Sequence, residues 1–140
     1  MNKLKVYLSG AVKLAEEEFQ GWRNKCLGFT ESGYYPNLRF IDPNSYFNYT
    51  DKLPQTDKQC IDLFMWQIEQ CDVLLLNLDS TDISVGAGME VEHAYCHGVP
   101  IVGFGEKTGT WYKWAETRAA VVFKTLEDAL DYITKSYARI

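Results

Sequence analysis

The run Asp72-Val73-Leu74-Leu75-Leu76-Asn77-Leu78 constrains the fold more than any other stretch of the chain. A half-exposed strand alternates apolar and polar residues. A continuous apolar run of this length reads instead as a strand covered on both faces. Cover on both faces means helices above and below a parallel sheet, and the rest of the sequence supplies them. Leu4 to Ser9 and Leu38 to Ile41 are shorter β-rich runs, ended by Gly10 and by Asp42-Pro43. Val99 to Phe104 and Ala120 to Phe123 are two more. Between them, apolar residues recur at helical spacing.

The first helical pattern holds Leu14, Ala15, Phe19, Trp22 and Cys26, with Gly28 as its expected stop. The second is opened by Thr56 as N-cap and places Cys60, Leu63, Phe64, Gln67, Ile68 and Cys71 on one face. A third is expected to start near Gly88 and to reach Cys96, with Gly98 ending it. Thr110 to Thr117 reads as a short helix with Trp111, Trp114 and Ala115 inward. Thr125-Leu126-Glu127-Asp128 resembles a capping box for a last helix with Leu126, Ala129, Leu130 and Ile133 inward. Strictly alternating strands and helices point to one α/β domain over residues 1–140. The expected fold is a Rossmann-like (flavodoxin-like) three-layer sandwich with a five-stranded parallel sheet.

Such folds bind ligands at the carboxyl ends of their strands. Ser9, Gly10, Pro43, the stretch from Asn77 to Gly88, and Gly103 to Gly105 are therefore expected on one edge. There the segment Ser84-Val85-Gly86-Ala87-Gly88-Met89-Glu90 joins the buried strand to a helix. Gly86 and Gly88 are expected to allow close backbone approach to a ligand. Glu90, read as a first-turn residue, would be held ionised by the helix's amino end. A charged carboxylate so placed can attack the anomeric carbon of a ribose as the base departs. The plainer reading is that Glu90 stabilises its own helix terminus.

Bulk properties exclude other classes. The net charge is −5 and no long Lys/Arg run occurs, which disfavours nucleic-acid polymers and acidic membranes as partners. Cys26, Cys60, Cys71 and Cys96 have no CxxC spacing or zinc-like cluster and read as reduced core residues. No signal peptide or bilayer-spanning run is read, so a cytoplasmic protein is expected. No cofactor and no metal is expected. A dinucleotide site is disfavoured because no GxGxxG follows the first strand, and the Pro-Gly-Gly run of phosphoribohydrolases is absent.

Tyr7-Leu8-Ser9-Gly10, Trp22-Arg23, Ile41-Asp42-Pro43, the strand at Asp72 to Leu78, Gly86-Ala87-Gly88-Met89-Glu90, Ala94-Tyr95 and Gly98 to Val102 together resemble the nucleoside 2-deoxyribosyltransferase family. The resemblance runs to about Phe104. It implies a Rossmann-like oligomer acting in nucleoside and nucleotide salvage. Members transfer deoxyribose between bases, or hydrolyse deoxynucleoside 5′-monophosphates. The substrate would be a small nucleoside or nucleotide, with a free nucleobase as possible acceptor. The family's nucleophile falls on Glu90. Ser84 matches a phosphate-binding Ser of the hydrolysing branch, often Asp in the exchanging branch. An Asp common in the family is replaced here by Phe64. Asp62 lies on another helix face, and Asp79 is the best substitute by position.

Tyr7, Ser9, Gly10 and Asn77 are further candidates for the sugar pocket. Tyr46 and Phe47, with Tyr49, lie in a long loop and could stack on a base. His93 reads as a partly buried helix residue making one hydrogen bond, Glu92 as structural or a subunit contact, and His97 as a C-terminal dipole partner. Trp111 and Trp114 could reach a neighbouring subunit's site. Base transfer ranks slightly ahead of nucleotide hydrolysis. A non-catalytic nucleotide-binding module is the alternative from a different class.

Overall fold

The computed structural model describes residues 3–10, 16–43, 56–79, 85–105 and 110–138. Among the described residues, ten elements alternate. They are β1 (Leu4–Ser9), α1 (Glu16–Glu31), β2 (Leu38–Ile41), α2 (Asp57–Gln70), β3 (Val73–Asn77), α3 (Val85–Cys96), β4 (Ile101–Phe104), α4 (Thr110–Glu116), β5 (Val121–Phe123) and α5 (Leu126–Tyr137). The strands form one parallel sheet in the order β2-β1-β3-β4-β5. That is the flavodoxin-like order, with its reversal of winding between β1 and β3. The expected five-stranded three-layer sandwich is present.

The all-apolar β3 sits in the middle, and each of its five residues is buried. Strand alternation divides the core in two. Val6, Leu8, Val73, Leu75, Val102 and Phe104 meet Trp22 and Cys26 of α1 and Leu126, Leu130 and Ile133 of α5. Tyr7, Leu74, Leu76 and Ile101 meet Ile68 of α2, Val91 and Ala94 of α3, and Ala115 of α4. The alternation matters for chemistry. Tyr7 and Ser9 share a strand face, and that face looks toward α3.

Thr56 caps α2 as read, with a full capping box: its Oγ accepts from the Gln59 N–H, and the Gln59 side chain accepts from the Thr56 N–H, both at 3.1 Å. Thr125 caps α5 by accepting from the Asp128 N–H. Three expectations need correction. Helix α1 runs through Gly28 to Glu31, and Gly33 follows as its stop. Gly33 has φ +80°, and Tyr34 N–H closes back on the Phe29 carbonyl at 2.8 Å. Gly28 lacked the left-handed conformation that makes glycine a helix stop. Helix α3 begins at Val85, three residues before Gly88, although Gly98 (φ +73°) follows its end as expected. Trp114 is 70% exposed and points away from the core, while Ala115 alone of the α4 pair is buried.

Among the described residues, no helix is long and apolar enough to cross a membrane. Cys26, Cys60 and Cys71 are buried free thiols, in line with the core reading, whereas Cys96 is exposed.

Candidate active site

The carboxyl end of β1 meets the first half of α3 at Glu90. Because α3 starts at Val85, Glu90 is its sixth residue and lies in the second turn, not the first. The field of a helix terminus fades within the first turn, so it cannot be what governs this carboxylate. Direct partners govern it instead. The Tyr7 hydroxyl donates to Glu90 Oε2 in a short hydrogen bond, and the Ser9 hydroxyl donates to Oε1 at 2.8 Å. Residues two apart on a strand lie about 7 Å apart on one face. Their side chains, one long and one short, converge on the two carboxylate oxygens.

Glu90 is 8% exposed. Burial raises its pKa above the ordinary carboxylate value, while the Tyr7 and Ser9 hydrogen bonds and the nearby Arg23 charge oppose that rise. The expectation of a carboxylate kept ionised by its helix is thus corrected: desolvation pulls toward the acid and three named groups pull back. The Tyr7 phenol is pushed well above its usual range by its own burial, then by the negative Glu90 beside it. It therefore remains a donor at any ordinary pH. Two donors facing one carboxyl group suit its charged form, because a protonated Glu90 would need one of them to turn round and accept.

Arg23 on α1 is fully buried near this group. Its Nη2 donates to the Gly10 carbonyl at 3.0 Å, and its Nε lies 3.6 Å from Asp42 Oδ1 beyond β2. Burial lowers the Arg23 pKa, and the charges of Asp42, Glu90 and Tyr7 raise it again. A buried Arg, two buried carboxylates and a buried Tyr thus form one electrostatic unit where β1, β2 and α3 meet. Sequence reading passed over Arg23 and Asp42 as site residues, although both stand in the quoted matches. The available signal was an Arg inside the apolar stripe Trp22-Cys26, since Arg is almost never fully buried unless paired.

The other candidates distribute as follows. Gly10 follows β1; a Cβ there would lie 3.2 Å from the Asn77 Cβ and 3.4 Å from the Trp22 ring, a fit tight enough that a larger residue would push its neighbours by a few tenths of an ångström. Asn77 belongs by alternation to the α1 side of the sheet, away from Tyr7 and Ser9, and its Oδ1 accepts from the Asp79 N–H at 2.9 Å. Asp79 is exposed and turned toward β4, with Oδ1 only 2.9 Å from where a Gly105 Cβ would stand. Asp62 pairs with Lys58 on the surface of α2 and has no part in this unit. Gly86 and Gly88 are residues two and four of α3, not turn residues, and their backbone does not take a positive φ. Beside Gly86 there is open space where a Cβ would be. Ser84, Tyr46, Phe47 and Tyr49 lie outside the described residues. So do the rest of segments 11–15, 44–55, 80–84 and 106–109.

A cavity of about 500 Å³ lies elsewhere, between α3 and α4, lined by Val91, Glu92, Trp114 and Arg118 among others. Glu92 there pairs with Arg118 at 2.9 Å, and the guanidinium stacks on Tyr95. That matches the structural reading of Glu92. His93 and His97 turn away to another flank of α3, toward α2.

No family model and no curated protein sequence matches the chain. Solved structures do. A conserved protein from Enterococcus faecalis V583 superposes with a TM-score of 0.74 at 18% identity, over 95% of this chain and 98% of that one. The 2-deoxyribosyltransferase of Bacillus psychrosaccharolyticus gives 0.69 at 16% identity, over 91% of each chain. The CMP N-glycosidase BcmB of Clostridium botulinum gives 0.57 at 18% identity, over 94% and 96%. At these identities the likeness establishes a shared fold across nearly the whole chain.

Proposed function

We propose that this protein cleaves the N-glycosidic bond of a (deoxy)nucleoside or nucleotide, with Glu90 as nucleophile and another base as acceptor. The observation that carries the reading is the buried Glu90 carboxylate held by Tyr7 and Ser9 at the carboxyl edge of a parallel sheet. A carboxylate taken out of water is a stronger nucleophile, provided that something keeps it ionised and aimed. The two hydroxyls do both. Each carboxylate oxygen retains a further lone pair for bond formation.

In the first step a Glu90 oxygen bonds to C1′ and the C1′–N bond breaks, its electron pair leaving with the base, which takes up a proton. The sugar is then an ester of Glu90. In the second step a nitrogen of the incoming base attacks C1′, Glu90 departs as carboxylate, and the new base gives up its proton. Proton and electron counts balance over the cycle, and no redox partner is needed. Ser84, Gly86 and Gly88 are assigned to the phosphate or sugar side, and Tyr46 and Phe47 to stacking on the base. Asp79 is assigned to help the leaving base. The enzyme is proposed to be cytoplasmic, to work as a homo-oligomer and to serve base salvage.

Two structural neighbours support glycosidic chemistry from both sides: one transfers deoxyribosyl groups and one is an N-glycosidase acting on CMP. The second keeps hydrolysis as the alternative, with water in place of the incoming base. The deciding experiment incubates the protein with each deoxynucleoside and its 5′-monophosphate, with and without free adenine, and follows products by chromatography. New nucleosides establish transfer, and free base with sugar or sugar phosphate establishes hydrolysis. Ligand binding without turnover overturns the proposal in favour of a nucleotide-binding module, and turnover unchanged in Glu90→Ala overturns the assignment of Glu90 as nucleophile.

A further inference from the structure

Further along α3, one to two turns past Glu90, a second cluster stands on the side that meets α2. His93 and His97, one helical turn apart, project beside each other with ring centroids 4.0 Å apart. Glu69, in the last turn of α2, places Oε2 at 2.8 Å from His93 Nε2. One donor atom from each of the three residues lies within 4.8 Å of the others. We propose that Glu69, His93 and His97 form a site for a late first-row divalent cation, zinc above all, that pins α2 to α3.

Four features carry this. The donor set, two imidazoles and a carboxylate, is one that zinc and its neighbours accept and that magnesium and calcium do not favour. The i, i+4 spacing puts both rings on one helix face, so the backbone already holds two of the ligands. His97 Nδ1 lies 2.8 Å from the His93 carbonyl oxygen. With its proton on Nδ1, His97 donates to that carbonyl and presents Nε2 as a lone pair, the usual way a ligating imidazole is oriented. Finally, α2 and α3 both end here, and their terminal carbonyls give the site a negative bias that suits a cation.

Tetrahedral zinc separates its N and O donors by roughly 3.4 Å. Closing the set from within 4.8 Å therefore asks the donor atoms to shift by about 1.4 Å at most. Glu69 and His97 are exposed, which leaves an entry path and room for water as the remaining ligand. Cys96 is next to His97 in sequence, but its thiol faces Glu92 on another side of the helix.

Co2+ titration of the full chain, followed by its visible absorption and then by competition with Zn2+ and Mg2+, tests the site. One Co2+ per chain should bind and be displaced by Zn2+ but not by Mg2+. His97→Ala and Glu69→Gln, both at exposed positions, should each weaken binding at least about 10-fold, the loss that even outer partners of a metal site produce. Cys96→Ser should bind like the parent protein. With Zn2+ at a hundred times its Kd, the unfolding constant of the parent should fall about 100-fold, and that of His97→Ala should not. Absence of binding, unchanged affinity in His97→Ala, or loss of binding in Cys96→Ser overturns the assignment.

Discussion

Replacing Tyr7 with Phe removes one oxygen from a buried site and tests the logic of Glu90 directly. The phenol donates to Glu90 Oε2, and the Ser9 hydroxyl is the other hydroxyl donor to that carboxylate. A hydrogen bond to a charged group contributes roughly 2 kcal/mol, a factor of about 30 in the ionisation equilibrium of its acceptor. Burial already raises the Glu90 pKa above the usual 4.5, and the Tyr7 bond is one of the forces restraining that rise. The direction follows. If ionised Glu90 is the nucleophile, kcat/KM climbs as pH rises through its folded-state pKa, so the ascending limb lies above pH 4.5. In Tyr7→Phe that limb moves to higher pH. On the limb itself the rate falls about 30-fold, recovering at higher pH as Glu90 ionises. Ser9→Ala moves the limb the same way. The assay is base release against pH for the three proteins, with urea unfolding at pH 5 and pH 8 as a second readout. Tyr7→Phe should lose more stability at the higher pH, because ionised Glu90 then has one donor fewer. An ascending limb that stays put, or moves to lower pH, refutes the argument that these hydroxyls hold the carboxylate ionised.

Other expectations follow from the same geometry. Parent stability should fall as pH rises from the ordinary carboxylate range through the raised Glu90 pKa, because the folded state holds that proton more tightly than the unfolded chain. Glu90→Gln should lack that fall in urea titrations and should lose turnover by orders of magnitude. Arg23→Met breaks the buried ion pair with Asp42 and removes the donor to the Gly10 carbonyl, and should cost about 3–5 kcal/mol in urea unfolding. Gly105→Ala, at φ +126° and 2.9 Å from Asp79 Oδ1, should cost about 1–3 kcal/mol, seen as a lower Tm. Gly28→Ala, inside α1 with open space around it, should instead gain roughly 0.5–1 kcal/mol. Turnover should survive EDTA, since the proposed chemistry at Glu90 uses no metal even where the α2–α3 cluster binds one.

What could be read in the chain and what could not separates along physical lines. The sheet was legible because β3 is apolar at every position from Val73 to Leu76, a pattern with one comfortable environment. The caps at Thr56 and Thr125 were legible because they are local: the side chain bonds a backbone group three residues away. Helix ends set by backbone dihedrals were not. Gly28 and Gly33 are equal as letters, and only φ distinguishes the one inside α1 from the one that ends it. Trp114 shows the limit of apolar spacing, because a seven-residue helix offers too few turns to define a face. The partnership of Glu90 with Tyr7 and Ser9 spans more than 80 residues and depends on strand parity, which requires the sheet before it can be seen. Asp42 was hidden for the same reason, whereas Arg23 carried a local signal, a charge inside the apolar stripe of α1.

The displacement of Glu90 from the first turn of α3 to the second changes the chemistry more than its location. A carboxylate at a helix terminus would be tuned by backbone dipoles that no substitution removes. One held by Tyr7, Ser9 and Arg23 is tuned by side chains that can be exchanged singly. All three come from β1 and its neighbour α1, and Arg23 also grips the Gly10 carbonyl where β1 ends. Nucleophile strength is therefore coupled to the seating of the β1 carboxyl end. A substitution that lets this end shift, such as Gly10→Ala against Asn77 and Trp22, should weaken the Ser9 bond and raise the Glu90 pKa without touching the carboxylate itself. Its pH–rate profile should then resemble that of Ser9→Ala. A profile unchanged from the parent, in a protein that folds normally, would show that Glu90 takes its charge from something other than the strand beside it.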